Sequence, residues 1–178
     1  LADPKAVVRL FEQAVKNGPV YGLVNNASIF ESYDWQTTCL EDWNRHLMIN
    51  LTAPFLLSQA FARALPGEMQ GRIVNLLDWR SSRPGSDYLP YTISKSGLAA
   101  LTQSLAIALA PRITVNGLGL GAILPPSDGS DTTGLLQFVP AQRWASLDEV
   151  DEALLFLLAG PAYITGEIIH VDGGRHLV

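Results

Sequence analysis

The sequence predicts an α/β protein built on a doubly wound parallel sheet, and three observations carry that reading. Short apolar runs recur along the chain (Val20 to Val24, Gly71 to Leu77, Ile113 to Leu118, Ile168 to Val171). Runs of that length with little polar alternation suit strands buried on both faces, as in parallel sheets. Amphipathic helical stretches separate them, and strand–helix–strand units joined by right-handed crossovers wind helices onto both sides of a sheet. A chain of 178 residues, 48% apolar and 16% charged, is large enough to bury a core as one domain.

Asp3-Pro4 reads as an N-cap followed by proline in the first helical turn. Val7, Val8, Leu10, Phe11 and Val15 then share one face, and Asn17-Gly18 ends the helix. After the first strand, Ala27 to Gln36 is loop. Thr38 and Glu41 have the spacing of a capping box. Leu40, Trp43, Leu47, Leu51, Leu57 and Phe61 hold a helical period to about Leu65, interrupted by Pro54. Proline lacks an N–H, so the carbonyl of Asn50 loses its helical partner, a kink is expected, and the free carbonyl can hold a water. Cys39, the single cysteine, falls in this helical pattern and is expected to be a buried structural thiol.

The second strand is followed by loop from Ser81 to Leu89. Pro90 opens a helix reaching about Ala110 that is rich in small residues (Ser94, Ser96, Gly97, Ala99, Ala100). Such a face allows close helix approach and is expected to be an oligomer contact. Gly119 to Thr133, rich in Gly, Pro, Ser and Asp, is the longest expected loop. Ser146 and Glu149 form a second capping box before the helix at Val150 to Leu158, and Asp172-Gly173-Gly174 closes the last strand.

Composition narrows the function. A net charge of -5 with no basic patch speaks against nucleic acid as a partner. A single cysteine forms no internal disulfide and fits a reducing compartment. There is no apolar run of the roughly 18 residues a membrane span needs, and the N-terminal segment is amphipathic rather than a signal sequence. A cytoplasmic location, a small-molecule substrate and no membrane partner are expected.

Residues with chemistry cluster where strands end, the place where open α/β sheets bind ligands. Asn25-Asn26-Ala27-Ser28 follows the first strand and reads either as a turn or as a site. Asp78 ends the second strand, as a turn cap or a site carboxylate. Tyr91 and Lys95 are four apart and share a helical face. A phenol is a weak acid at neutral pH, and an adjacent ammonium favours its phenolate. Such a pair can protonate a substrate heteroatom as hydride arrives. Alternatively it is a surface pair, and Asn50 only a kink residue.

Together these residues resemble the short-chain dehydrogenase/reductase family, in order along the entire chain. The resemblance implies a Rossmann-like fold and a nicotinamide cofactor. Asn25, Asn26 and Ala27 match the family's Asn-Asn-Ala-Gly turn, with Ser28 in place of glycine. Asn50 matches its asparagine, whose carbonyl holds a relay water. Tyr91 and Lys95 match the catalytic pair. ITVNGLGLGAI, with Gly121 and Ile123, resembles the segment bordering the nicotinamide, although Leu120 stands where proline is usual. Ile164-Thr165-Gly166 and the VDGG turn match the family's C-terminal end.

One departure points to a branch. The family's serine thirteen residues before the tyrosine is here Asp78. With Phe30 two residues after Ser28, this resembles the pteridine reductase branch, in which an aromatic stacks on the pterin. The implied site is Asn50, Asp78, Tyr91 and Lys95 for catalysis; Asn25, Ala27, Ser28, Tyr91, Lys95, Gly121 and Ile123 for NADPH (or NADH); and Ser28, Phe30, Asp78 and Tyr91 for substrate, without a metal. An ionised Asp78 beside Tyr91 raises the phenol's pKa, so the two are expected to titrate together. The implied assembly is a homotetramer or homodimer. A generic carbonyl or alcohol oxidoreductase of the same family, and a catalytically silent scaffold, are the competing expectations. The family's Thr-Gly-x-x-x-Gly-x-Gly loop, which cradles the cofactor pyrophosphate, and its first strands do not occur in these 178 residues. The chain therefore reads as a single, incomplete domain, residues 1–178. Its first strand would then be a sheet edge, prone to pair with another chain.

Overall fold

The structure is a computed structural model that describes residues 1–125, 132 and 134–178. Strands β1 (Gly22–Asn25), β2 (Gly71–Asp78), β3 (Ile113–Leu120) and β4 (Ile168–Val171) form one sheet in the order β1-β2-β3-β4, and every neighbouring pair is parallel. Helices α1 (Pro4–Ala14), α2 (Leu40–Leu47), α3 (Ala53–Ala64), α4 (Leu89–Leu109) and α5 (Leu147–Ala159) make the connections.

Strand alternation divides the core in two. Ile73 and Val115 face α1, α3 and α4, where they meet Phe11, Phe61, Leu65 and Ala106. Val74, Leu76 and Leu118 point to the opposite face and pack against Leu157 of α5. The sheet is thus covered on both sides, as the apolar runs predict. A polar chain crosses the first face: Asn25 Nδ2 donates to Asn75 Oδ1 at 2.8 Å, and Asn75 Nδ2 donates to Thr102 Oγ1 at 2.8 Å. Asn75 is fully buried. Asn75→Ala strands a buried amide, and urea unfolding should show a loss of about 1–3 kcal/mol.

Several expectations are corrected. The first strand starts two residues later than Val20, includes Asn25 and is only half-buried, because among the described residues β2 is its single neighbour. Cys39 is exposed, at the N-cap of α2 rather than within it, with Sγ donating to Asp42 at 3.0 Å. The Thr38–Glu41 capping box does not form: the cap falls on Cys39, and the Thr38 hydroxyl donates to the Asp34 carbonyl. The expected break at Pro54 is spread over a π turn, Met48–Thr52, in which the Ala53 N–H reaches back to the Met48 carbonyl. The Ser146–Glu149 box forms as expected. Of the long loop from Gly119, the first two residues complete β3, and residues 126–131 and 133 lie outside the described residues.

Candidate active site

Asp78 is the last residue of β2, and Tyr91 and Lys95 stand on the first two turns of α4. Pro90 suits the start of that helix, because its missing N–H lies where no intrahelical bond is made. Further along, Gly97 lacks a Cβ where one would lie 2.9 Å from Leu51 Cδ2. That close approach brings the π turn, and Asn50 with it, against α4. Asn50 is buried and uses its whole amide. Its Oδ1 accepts from the Ile29 N–H (2.9 Å) and the Ser28 hydroxyl (3.1 Å), while Nδ2 donates to the Ile29 carbonyl (3.0 Å) and Ser94 Oγ (3.0 Å). The side chain pins the Ser28–Phe30 turn to α4.

The Tyr91 hydroxyl donates to Asp78 Oδ2 at 3.0 Å, and Asp78 Oδ1 accepts the Arg80 N–H at 2.8 Å. Lys95 Nζ donates to the Leu76 carbonyl at 2.7 Å and lies 5.7 Å from the Tyr91 ring centre. Burial pushes the Asp78 carboxyl above its ordinary range, against the opposing Arg80 N–H, Tyr91 hydroxyl and nearby cations. Tyr91 is raised further still, by burial first and then by the charge and hydrogen bond of Asp78. Lys95 is pushed down to about 8 by burial, with Asp78 opposing. The expectation that Lys95 lowers the phenol is corrected: burial and Asp78 raise it, and the charge that opposes them is that of Arg80. The coupling of Asp78 to Tyr91 is as expected, and Tyr91 stays protonated through neutral pH, the form in which it can donate.

The lysine has a consequence for stability. Its folded value of about 8 lies below its ordinary 10.5, so the unfolded chain binds more protons between those pH values. Stability contributed at this position should rise as pH climbs from about 8 to 10.5. Chemical denaturation across that range should show the rise in the parent and its absence in Lys95→Met. An equal rise in both would mean that the Lys95 ammonium is not desolvated.

A cavity of about 800 Å³ opens over these groups. Ser28, Phe30, Asp78, Tyr91, Lys95, Gly121 and Ile123 all line it, with apolar walls from Val24, Leu120 and Leu154. Seven of the predicted residues therefore converge on one space. Asn25 and Ala27 do not line it. They border a neighbouring apolar hollow of about 280 Å³, and Asn25 donates its Nδ2 to Asn75. Asn26, not singled out as a contact, does line the larger cavity. Its place in the turn after β1 was the available signal. Sequence reasoning also missed Arg80, whose fork grips Asp87 at 2.7 and 3.0 Å. An arginine and an aspartate in a loop carry no pattern that pairs them. Among the described residues, no cluster could hold a metal, and no helix is long and apolar enough to cross a membrane.

A parallel sheet with a buried tyrosine and lysine one helical turn apart at its strand ends defines an α/β oxidoreductase architecture. Residues 1–176 match the profile of a family described as Enoyl-(Acyl carrier protein) reductase, and the chain belongs to the short-chain dehydrogenase/reductase family. The 3-oxoacyl-[acyl-carrier-protein] reductase FabG of Escherichia coli (strain K12) is 33% identical over 185 residues, 100% of this chain and 76% of that protein. The FabG of Aquifex aeolicus is 37% identical over 85% of this chain, which spans 64% of that relative's length. Among solved structures, FolM alternative dihydrofolate reductase 1 from Brucella canis, complexed with NADP, is 36% identical with a TM-score of 0.89, over 97% of this chain and 69% of that one. A short chain dehydrogenase from Burkholderia cenocepacia, also with NADP, is 33% identical with a TM-score of 0.90, over 98% and 73%.

Proposed function

We propose that this chain carries the catalytic portion of an NADPH-dependent reductase acting on a C=N bond of a pteridine or dihydrofolate-like ring. The Asp78–Tyr91 hydrogen bond, 3.0 Å long at the wall of a cavity that Phe30 also lines, is the observation that carries the reading. Reducing a C=N bond adds a hydride to carbon and a proton to nitrogen. A phenol kept protonated and held by a buried carboxyl is a proton source suited to a ring nitrogen. The Brucella FolM structure, described as an alternative dihydrofolate reductase, supports the same substrate class.

The residues fit the nicotinamide end of the cofactor. Lys95 is a buried cation that lines the cavity beside the tyrosine, and Gly121 and Ile123 border the same space. NADP in the neighbouring structures favours NADPH over NADH. When bound, the cofactor supplies the hydride. Tyr91 delivers the proton, and the Lys95 ammonium then steadies the phenolate. Asp78 orients Tyr91 and faces the ring nitrogens. Asn50 fixes the Ser28–Phe30 turn, Phe30 offers its ring to a flat substrate, and Asn25 and Ala27 shape the turn behind it. The open groove along Leu51, Phe55, Gly97, Ala100 and Leu101 supports assembly into a dimer or tetramer through α4, and the lone thiol suits the cytoplasm.

Carbonyl reduction is the second reading. A tyrosine–lysine pair serves C=O equally well, and the FabG relatives favour it. NADPH oxidation with dihydropterin, dihydrofolate, a β-keto thioester and a simple ketone separates the two. The first two should turn over far faster. Robust reduction of the last two with no turnover of either pterin overturns the proposal.

A further inference from the structure

Phe30 sits on a loop and is 54% exposed, so its ring would be poorly fixed on its own. It is not left so. Tyr88 stacks on it with ring centres 4.1 Å apart and planes only 3° from parallel. The Tyr91 ring meets Phe30 edge-on at 4.7 Å and 75°. Phe30 and Tyr91 line the cavity; Tyr88 does not. Tyr88 therefore stands behind Phe30, outside the binding space.

Tyr88 is itself held in two ways. The Arg80 guanidinium lies 5.0 Å from the Tyr88 ring centre and 5.0 Å from that of Trp79, and it is locked in place by its fork onto Asp87. The next residue's N–H, Leu89, donates to the Tyr33 carbonyl at 2.8 Å, tying the start of α4 to the loop that bears Phe30. The backbone of Tyr88 is left-handed, φ 51° and ψ 41°, at the N-cap of α4. A bulky residue adopts that conformation only where its surroundings enforce it. Among the described residues, no hydrogen bond calls for tyrosine here: the cap makes no side-chain bond. What the side chain does is stack.

We infer that Tyr88 is a positioning residue for substrate specificity: the Arg80–Tyr88–Phe30 column holds the Phe30 ring as a rigid wall that favours flat, ring-shaped substrates over aliphatic ones. The inference rests on reading the cavity as a reductase site, whether the bond reduced is C=N or C=O. An immobilised ring stacks on a flat ligand without first losing its rotameric freedom. Removing the buttress returns that entropic cost to binding and leaves the proton donor, Tyr91, untouched.

The test compares kcat and KM, at saturating NADPH, for dihydropterin, a bicyclic aromatic ketone and an aliphatic keto ester. Tyr88→Asn removes the ring with a residue that accepts the left-handed backbone, and Tyr88→Gly is the second variant should the first fold poorly. Both should raise KM for flat substrates by about three- to tenfold, in line with the loss of one aromatic pair, with little change in kcat. The keto ester should be unaffected. Tyr88→Phe should restore parent values, and in a Phe30→Leu background Tyr88→Asn should add nothing. Equal changes for all three substrates, no change for any, or an undiminished effect in the Phe30→Leu background overturns the inference. A parent enzyme that ignores dihydropterin but shows the Tyr88 effect with the aromatic ketone would reject the pteridine reading and keep this one.

Discussion

Tyr91→Phe should lower kcat for reduction by about 100- to 10,000-fold, the usual worth of a positioned general acid, while NADPH affinity stays nearly unchanged. The phenyl ring keeps its edge contact with Phe30 and its place on α4. Only the hydroxyl, and with it the 3.0 Å bond to Asp78, is lost. Lys95→Ala should damage both turnover and cofactor binding, because Lys95 lines the cavity and, on the proposed reading, its ammonium steadies the phenolate. Steady-state kinetics and fluorescence titration of NADPH separate the two effects. Turnover above roughly a tenth of the parent's in Tyr91→Phe is incompatible with the hydroxyl acting as general acid.

Asp78→Ser should reverse substrate preference. In the parent, the phenol donates to the carboxylate, and on the proposed reading a ring nitrogen is protonated beside them. A serine hydroxyl is a good donor to a carbonyl oxygen but a poor proton source. Removing Asp78 also removes the charge and the hydrogen bond that, after burial, raise the Tyr91 pKa. The phenol should therefore become more acidic, and the alkaline limb of kcat against pH should move to lower pH. The kcat/KM for ketones should rise relative to that for dihydropterin. Unchanged preference together with an unmoved pH profile would mean that Asp78 is only the turn cap that its bond to the Arg80 N–H makes it.

Much of this site was legible in the sequence because it depends on position along strands and helices. A carboxylate ending an apolar run must emerge at the strand's end, and Tyr91 and Lys95 must share a helical face. Asn50 was legible as a candidate, but the direction of its side-chain amide was not, since the five residues of the π turn, and the close pass of Gly97, decide where it points. The Asn25–Asn75–Thr102 chain was not legible at all: it joins two strands and a helix far apart in sequence. Cys39 and Thr38 went astray for a local reason. Asp34 draws the Thr38 hydroxyl back into the loop, so the helix begins one residue later than the box motif suggests. Tyr88 sits in a stretch that reads as plain loop, with Arg80 just before it, and only the fold stacks them.

The most direct measurement of the central claim is isotope transfer. NADPH carrying deuterium at nicotinamide C4 is incubated with the enzyme and a dihydropterin, and the product is examined by mass spectrometry and proton NMR. One deuterium is expected on the carbon of the former C=N bond, with an unlabelled exchangeable proton on its nitrogen, and loss of this product in Tyr91→Phe. Deuterium that never reaches the pterin, but appears on the carbinol carbon of a ketone supplied alongside it, would contradict the account.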